Sequence, residues 1–159
     1  MKHTIRLSLL LIALLFCALF AGCKEETPIE YAIDPVKLAA DLTAGLTFDD
    51  QLVNLTDEAV AAKYAYGQQT ASAWAGSGAT AELVLIAEFA DEAAAKTGLD
   101  RCGSWLNGQA DLYAKYAANE VPKLQNALKT TLGRWMIVVV SGDTSAAEAL
   151  LEQLTAPEA

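Results

Sequence analysis

Ala81-Glu82-Leu83-Val84-Leu85-Ile86-Ala87-Glu88-Phe89-Ala90 is the stretch that decides the fold of this 159-residue chain. Leu83, Leu85 and Phe89 fall on one side of it, Val84 and Ile86 on the other. Successive side chains of a strand point to opposite faces, so apolar residues on both faces predict a strand at the centre of a sheet. Trp135-Met136-Ile137-Val138-Val139-Val140 has the same character and predicts a second central strand. The more polar segments 68–75 and 125–132 read as edge strands. Gly76-Ser77-Gly78 and Gly133-Arg134 then turn each edge strand into its central neighbour. Two hairpins packed centre to centre make a four-stranded, mainly antiparallel sheet in the order 1-2-4-3.

Between the hairpins, Asp91-Glu92 opens the longest helix, over 91–117. Ala95, Leu99, Cys102, Leu106, Gln109, Tyr113 and Tyr116 recur at spacings of four and three and share one helix face. Gly98, Gly103 and Gly108 interrupt it, each at a cost of up to about 1 kcal/mol against Ala. They mark either a close helix-to-sheet approach or a bend. Asn119 and Pro122 end the helix. Upstream, Asp34-Pro35 reads as the cap and first position of a helix carrying Val36, Ala39, Leu42 and Leu46, with Gly45 at its end. Thr56 caps a second short helix over 57–66, where Asp57 and Glu58 suit the positive N-terminal end. Ser145-Ala146-Ala147-Glu148 has capping-box spacing and starts a closing helix through Leu150 and Leu154. The expected architecture is α+β: a β-β-α-β-β-α unit preceded by two short N-terminal helices. It forms one domain over 33–155, with helices mainly on one face of the sheet.

The start of the chain has another character. Lys2 and Arg6 make a positive n-region, and 7–20 is an apolar run interrupted only by Ser8. Ala21 and Gly22 follow as the small residues of a signal-peptidase site. A membrane span needs about 20 apolar residues, and this run stops at Gly22, Cys23 and Lys24. Leu19-Phe20-Ala21-Gly22-Cys23 resembles the lipobox of bacterial lipoproteins, with Phe20 where Leu is more usual. The resemblance implies cleavage after Gly22 and a thioether from Cys23 to diacylglycerol. Residues 1–22 are then a lipoprotein signal peptide, and 23–32 a lipidated cysteine with a tether. At about 0.8 kcal/mol per buried CH₂, two acyl chains hold a protein stably where one does not.

Losing 1–22 removes Lys2 and Arg6 from the 11 basic residues and none of the 20 acidic ones. The remaining 9 basic and 20 acidic residues give a mature net charge of −11. Such a surface repels nucleic acid and anionic headgroups. Cys17 leaves with the leader and Cys23 is modified. Cys102 is then alone, and no internal disulfide is expected.

Ala81-Glu82-Leu83-Val84, Arg101 in mid-helix, Tyr116 before the Pro122 segment, and Gly133 followed by Trp135-Met136-Ile137-Val138-Val139-Val140-Ser141 together resemble a family of small Gram-positive, clostridia-like envelope lipoproteins. That family is defined only as a domain of unknown function. The resemblance covers roughly residues 33–154. It implies an extracytoplasmic lipoprotein and contributes no activity.

The only histidine, His3, lies in the leader. A mature chain without histidine has no Ser-His-Asp or Cys-His catalysis and lacks the commonest zinc ligand. Gly76-Ser77-Gly78 fits neither a nucleophile elbow nor a dinucleotide fingerprint, and Gly103 to Gly108 lacks the Lys-Ser/Thr of a phosphate loop. Asp57-Glu58 and Asp91-Glu92 suit helix starts, and Asp49-Asp50 has no EF-hand spacing around it. Glu82 and Glu88 lie six apart on one strand, near ~20 Å, too far for a glycosidase pair. They are expected as solvated strand ends. Arg101 reads as a surface ion-pair partner, Cys102 as a buried inert thiol, and Trp74, Trp105 and Trp135 as core or partly exposed residues. The expectation is no catalytic residue, no cofactor and no metal. The chain reads as a lipid-anchored binding or interaction module facing an envelope protein or small ligand. An envelope-polymer enzyme using carboxylates alone, or a purely structural envelope component, are the alternatives. Two facing carboxylates 5–9 Å apart favour the enzyme, and an exposed apolar patch favours a partner.

Overall fold

The computed structural model describes residues 30–156. Cys23, the leader before it and most of the tether lie outside the described residues. The described elements are α1 (Pro35–Gly45), β1 (Val53–Asn54), α2 (Asp57–Lys63), β2 (Thr70–Ala75), β3 (Leu83–Glu88), α3 (Glu92–Tyr113), a 3₁₀ turn (Ala118–Glu120), α4 (Val121–Gln125), β4 (Leu128–Leu132), β5 (Trp135–Val140) and α5 (Thr144–Thr155).

The fold is α+β with a five-stranded, wholly antiparallel sheet in the order β1-β2-β3-β5-β4. The expected four strands become five, so the full sheet order differs from the expected 1-2-4-3, although those four strands keep their neighbours within it. Val53 and Asn54 pair with Ala75 and Trp74, adding a fifth strand beyond β2. β2 is therefore an interior strand. A two-residue strand leaves no period in a sequence. It exists because the Leu52 side chain is buried in the core and the Leu55 amide donates to the Ala73 carbonyl at 2.9 Å.

β3 and β5 lie side by side in the sheet, with Leu85 opposite Val138 and Ile86 opposite Ile137. All six residues of β5 are buried. Gly133, at φ 53°, makes the two-residue turn into it, a left-handed conformation that glycine adopts without strain.

The expectation that helices cover mainly one face is also corrected. Leu83, Leu85, Ala87 and Phe89 join Met136, Val138 and Val140 under α2, α3 and α4. Val84, Ile86, Ile137 and Val139 meet Leu38, Ala39 and Leu42 of α1 and Ala147 and Leu151 of α5 on the other face. Both faces of β3 and β5 are apolar because each meets its own helical layer.

α3 ends at Tyr113, short of the expected 117. Pro122 does not break the chain into a loop: it sits in the first turn of α4, where its missing N–H costs nothing. Of the three α3 glycines, Gly98 marks a close approach. A Cβ there would lie 2.2 Å from Phe89 Cζ, whereas Gly103 and Gly108 have no such neighbour within 4 Å.

Candidate polar cluster and cleft

At the end of the sheet where β3 begins, three carboxylates converge on one ammonium. Lys123 Nζ of α4 lies 2.6 Å from Asp49 Oδ2, 3.0 Å from Glu82 Oε1 and 3.1 Å from Glu120 Oε2. An ammonium has three N–H donors, and here each has a carboxylate. The other acceptor sites are filled too. Glu82 accepts from the Asp49 and Asp50 backbone amides, both at 2.9 Å. Glu120 accepts from the Ala81 amide at 3.0 Å and from Asn119 Nδ2 at 2.9 Å. The expectation that Glu82 is a solvated strand end is overturned: the residue is 2 % exposed, as is Glu120. Glu88 is the half-buried strand end, paired with Arg134 at 2.9 Å.

This cluster lacks the access that a hydrolytic carboxylate pair needs. The Glu82 and Glu120 oxygens lie 3.0 and 3.1 Å from the same Nζ, so they are no more than about 6 Å apart. Their side chains are only 1 % and 3 % exposed, and an ammonium occupies the space between them. Burial alone would lower the pKa of Lys123. The hydrogen bonds to Asp49, Glu82 and Glu120 outweigh it and hold the pKa above that of an ordinary lysine. A lysine kept protonated has no lone pair for attack or proton abstraction. The arrangement pins the segment after α1 to the start of β3 and to α4.

The pinning continues outward. Asp50 Oδ2 accepts from both the amide and the hydroxyl of Ser77, each at 2.7 Å, and these bonds lower its pKa. On the other side the Tyr113 hydroxyl donates to the Thr80 carbonyl at 2.6 Å. The loop 76–80 is thus held from α3 and from the segment after α1. It overhangs a small cleft lined by Lys63, Tyr64, Thr80, Trp105, Gln109 and Tyr113. The open cleft holds about 40 Å³, room for water or a small ion. Pockets for drug-sized ligands run to roughly 300–1,000 Å³. Leu112, in the last turn of α3, is 45 % exposed, and Tyr116, just past its end and stacked on Tyr113 with ring centroids 5.0 Å apart, is 60 % exposed.

The remaining singled-out residues do not converge. Arg101 makes no ion pair among the described residues; its guanidinium donates to the Tyr66 carbonyl at 3.1 Å. Cys102 is fully buried, and burial pushes its thiol up to about 11. Trp105 packs on the α3 face of the sheet, Trp74 and Trp135 on the α1 face. Asp91 caps α3 by accepting from the Ala94 amide at 2.7 Å, and Asp57 and Glu58 sit in the first turn of α2. Among the described residues no group of three or more His, Cys, Asp or Glu side chains is arranged to hold a metal ion; the point where Asp49, Glu82 and Glu120 meet is taken by the Lys123 ammonium. No described helix is long and apolar enough to cross a membrane. The sequence reading missed Lys123 and Glu120. Their one signal was the i, i+3 spacing of opposite charges around Pro122.

No family model, curated protein or solved structure matches this chain.

Proposed function

We propose that this protein is an extracytoplasmic lipoprotein, anchored through diacylglycerol on Cys23, whose domain is a small binding or protein-interaction module and not an enzyme. The observation that carries the anchor is Leu19-Phe20-Ala21-Gly22-Cys23 at the end of a charged and then apolar leader. The folded domain begins only a few residues later, with α1 capped by Asp34. The polar cluster favours a module over an enzyme, because its buried carboxylates already have their donors. Leu112 and Tyr116 are exposed apolar side chains at the end of α3 of the kind a protein partner covers. The resemblance to the envelope family named above agrees with this reading.

The test is detergent-phase partitioning, with mass spectrometry of the N-terminus, for the wild-type chain and Cys23→Ala. The wild type is expected in the detergent phase with a diacylated Cys23, and the variant in the aqueous phase. A Cys23→Ala protein that partitions like the wild type would mean that the leader itself is the anchor. Turnover of envelope-polymer fragments that disappears on changing one Asp or Glu would replace the module reading with the enzyme one.

A further inference from the structure

Resting on the lipid-anchor reading, we propose that the domain stands on the membrane by its β4–β5 turn. The bilayer surface then faces Gly133-Arg134 and the start of α3. The cleft, the loop 76–80, Leu112 and Tyr116 face away from it.

The place where the chain enters the domain carries this. Trp135 Nε1 donates to the Tyr31 carbonyl at 3.0 Å, and Tyr31 and Ile33 pack against the α1-side core. Trp135 is the first residue of β5 and is opposite Leu132 across the turn. The entry point is therefore fixed at the turn end of the sheet. From there α1, 11 residues long, carries the chain about 16 Å to the segment whose amides bind Glu82. β3, with six residues, spans a similar distance of about 17 Å between Glu88 and Leu83. Helix and strand thus place entry point and cleft at opposite ends of the domain.

Seven residues lead from Cys23 to Glu30. Fully extended they reach about 25 Å, and as a coil they average about 15 Å. Laying the cleft end on the bilayer would need the tether drawn out along the whole side of the domain. Standing on the turn end needs no such extension.

The charges of the turn end agree with contact by proximity and not by attraction. Arg134 is paired with Glu88, and Lys96 with Glu92. Lys37, near the entry point, is paired with Asp41, and Asp34, Asp91 and Glu30 add negative charge, so the described residues there form no basic patch to seek anionic lipid. The orientation should be the same on neutral and anionic bilayers.

The experiment uses the full lipidated chain in phosphatidylcholine vesicles doped with a gadolinium-chelating lipid. A spin label is placed at Arg134→Cys or Glu92→Cys for the turn end, and at Ala79→Cys or Gln125→Cys for the cleft end. Cys102 is buried, so it stays unlabelled in the folded protein. Relaxation by the lipid-borne metal should be several-fold stronger at 134 and 92 than at 79 and 125, with and without anionic lipid. Equal relaxation at both ends, or the reverse order, in protein that does float with the vesicles overturns the orientation and leaves the anchor intact. Protein that does not float with the vesicles overturns the anchor and the orientation together.

Discussion

Replacing Lys123 by Met keeps the length and apolar stem of the side chain and removes its charge. Glu82 and Glu120 would then face each other as buried carboxylates without a counter-ion. Breaking a buried ion pair by removing one partner costs about 3–5 kcal/mol. The lower end applies here, because Glu82 keeps the Asp49 and Asp50 amides and Glu120 keeps the Ala81 amide and Asn119. The expected loss is about 3 kcal/mol at pH 7, out of a typical total of about 5–15 kcal/mol. At roughly 2–4 °C per kcal/mol the melting temperature should fall by about 10 °C. The assay is urea and thermal unfolding followed by far-UV circular dichroism, at pH 7 and again near pH 4. Two carboxylates without a cation bind protons more readily in the fold than in the unfolded chain. Protonation therefore stabilises the variant relative to wild type, and the gap between them should narrow as pH falls through the carboxylate range. A Lys123→Met domain within ~0.5 kcal/mol of wild type at pH 7, or a gap that does not change with pH, would refute the claim that this ammonium holds the cluster together.

Gly98→Ala adds a Cβ against the fully buried Phe89 ring, so overpacking of about 1–3 kcal/mol should outweigh a helix-propensity gain of up to about 1 kcal/mol. Gly108→Ala meets nothing and should raise stability in the same unfolding assay; equal effects at both sites would show that α3 does not approach β3 as described. Burial raises Cys102 from its ordinary 9.0 to about 11, and burial also raises Tyr113 from 10.0 to about 12. A raised folded pKa means that the contribution is intact below the unfolded value and is lost as pH climbs through the folded one, so the melting temperature should fall between about pH 9 and 12. Cys102 should accordingly resist a thiol reagent at pH 8 until denaturant is added, and prompt labelling of the native protein would contradict its burial.

The parts of this fold that were legible in the sequence are those made by local pattern. The run from Leu83 to Glu88 and the run from Trp135 to Val140 carry enough β-branched and apolar residues to announce central strands on their own. Asp34, Thr56 and Asp91 announce helix starts, because capping is a contact within four residues. What long-range contact decides was not legible. Val53-Asn54 is a strand only because Ala75 and Trp74 lie beside it. Glu82 looks like a strand end until Lys123, 41 positions away, is brought to it. Pro122 reads as a stop when it is taken alone, and as the first turn of α4 once the preceding 3₁₀ turn is seen. Two helical layers in place of one follow from α1 and α5 packing behind the sheet, a fact of topology that no window of the sequence contains.

The sheet order also sets a timetable. β3 and β5 pair along their full lengths, yet Leu85 and its partner Val138 lie about 50 positions apart. The β2–β3 hairpin closes over a short loop, so it can form as soon as residue 88 is free. The strand it needs on its other edge comes near the end of the chain, after α3, α4 and β4. In any chain that emerges N-terminus first, the most apolar strand of the early half therefore waits with one edge open and both faces incompletely covered. A chain halted before Trp135 presents the kind of surface that chaperones hold and on which aggregates grow.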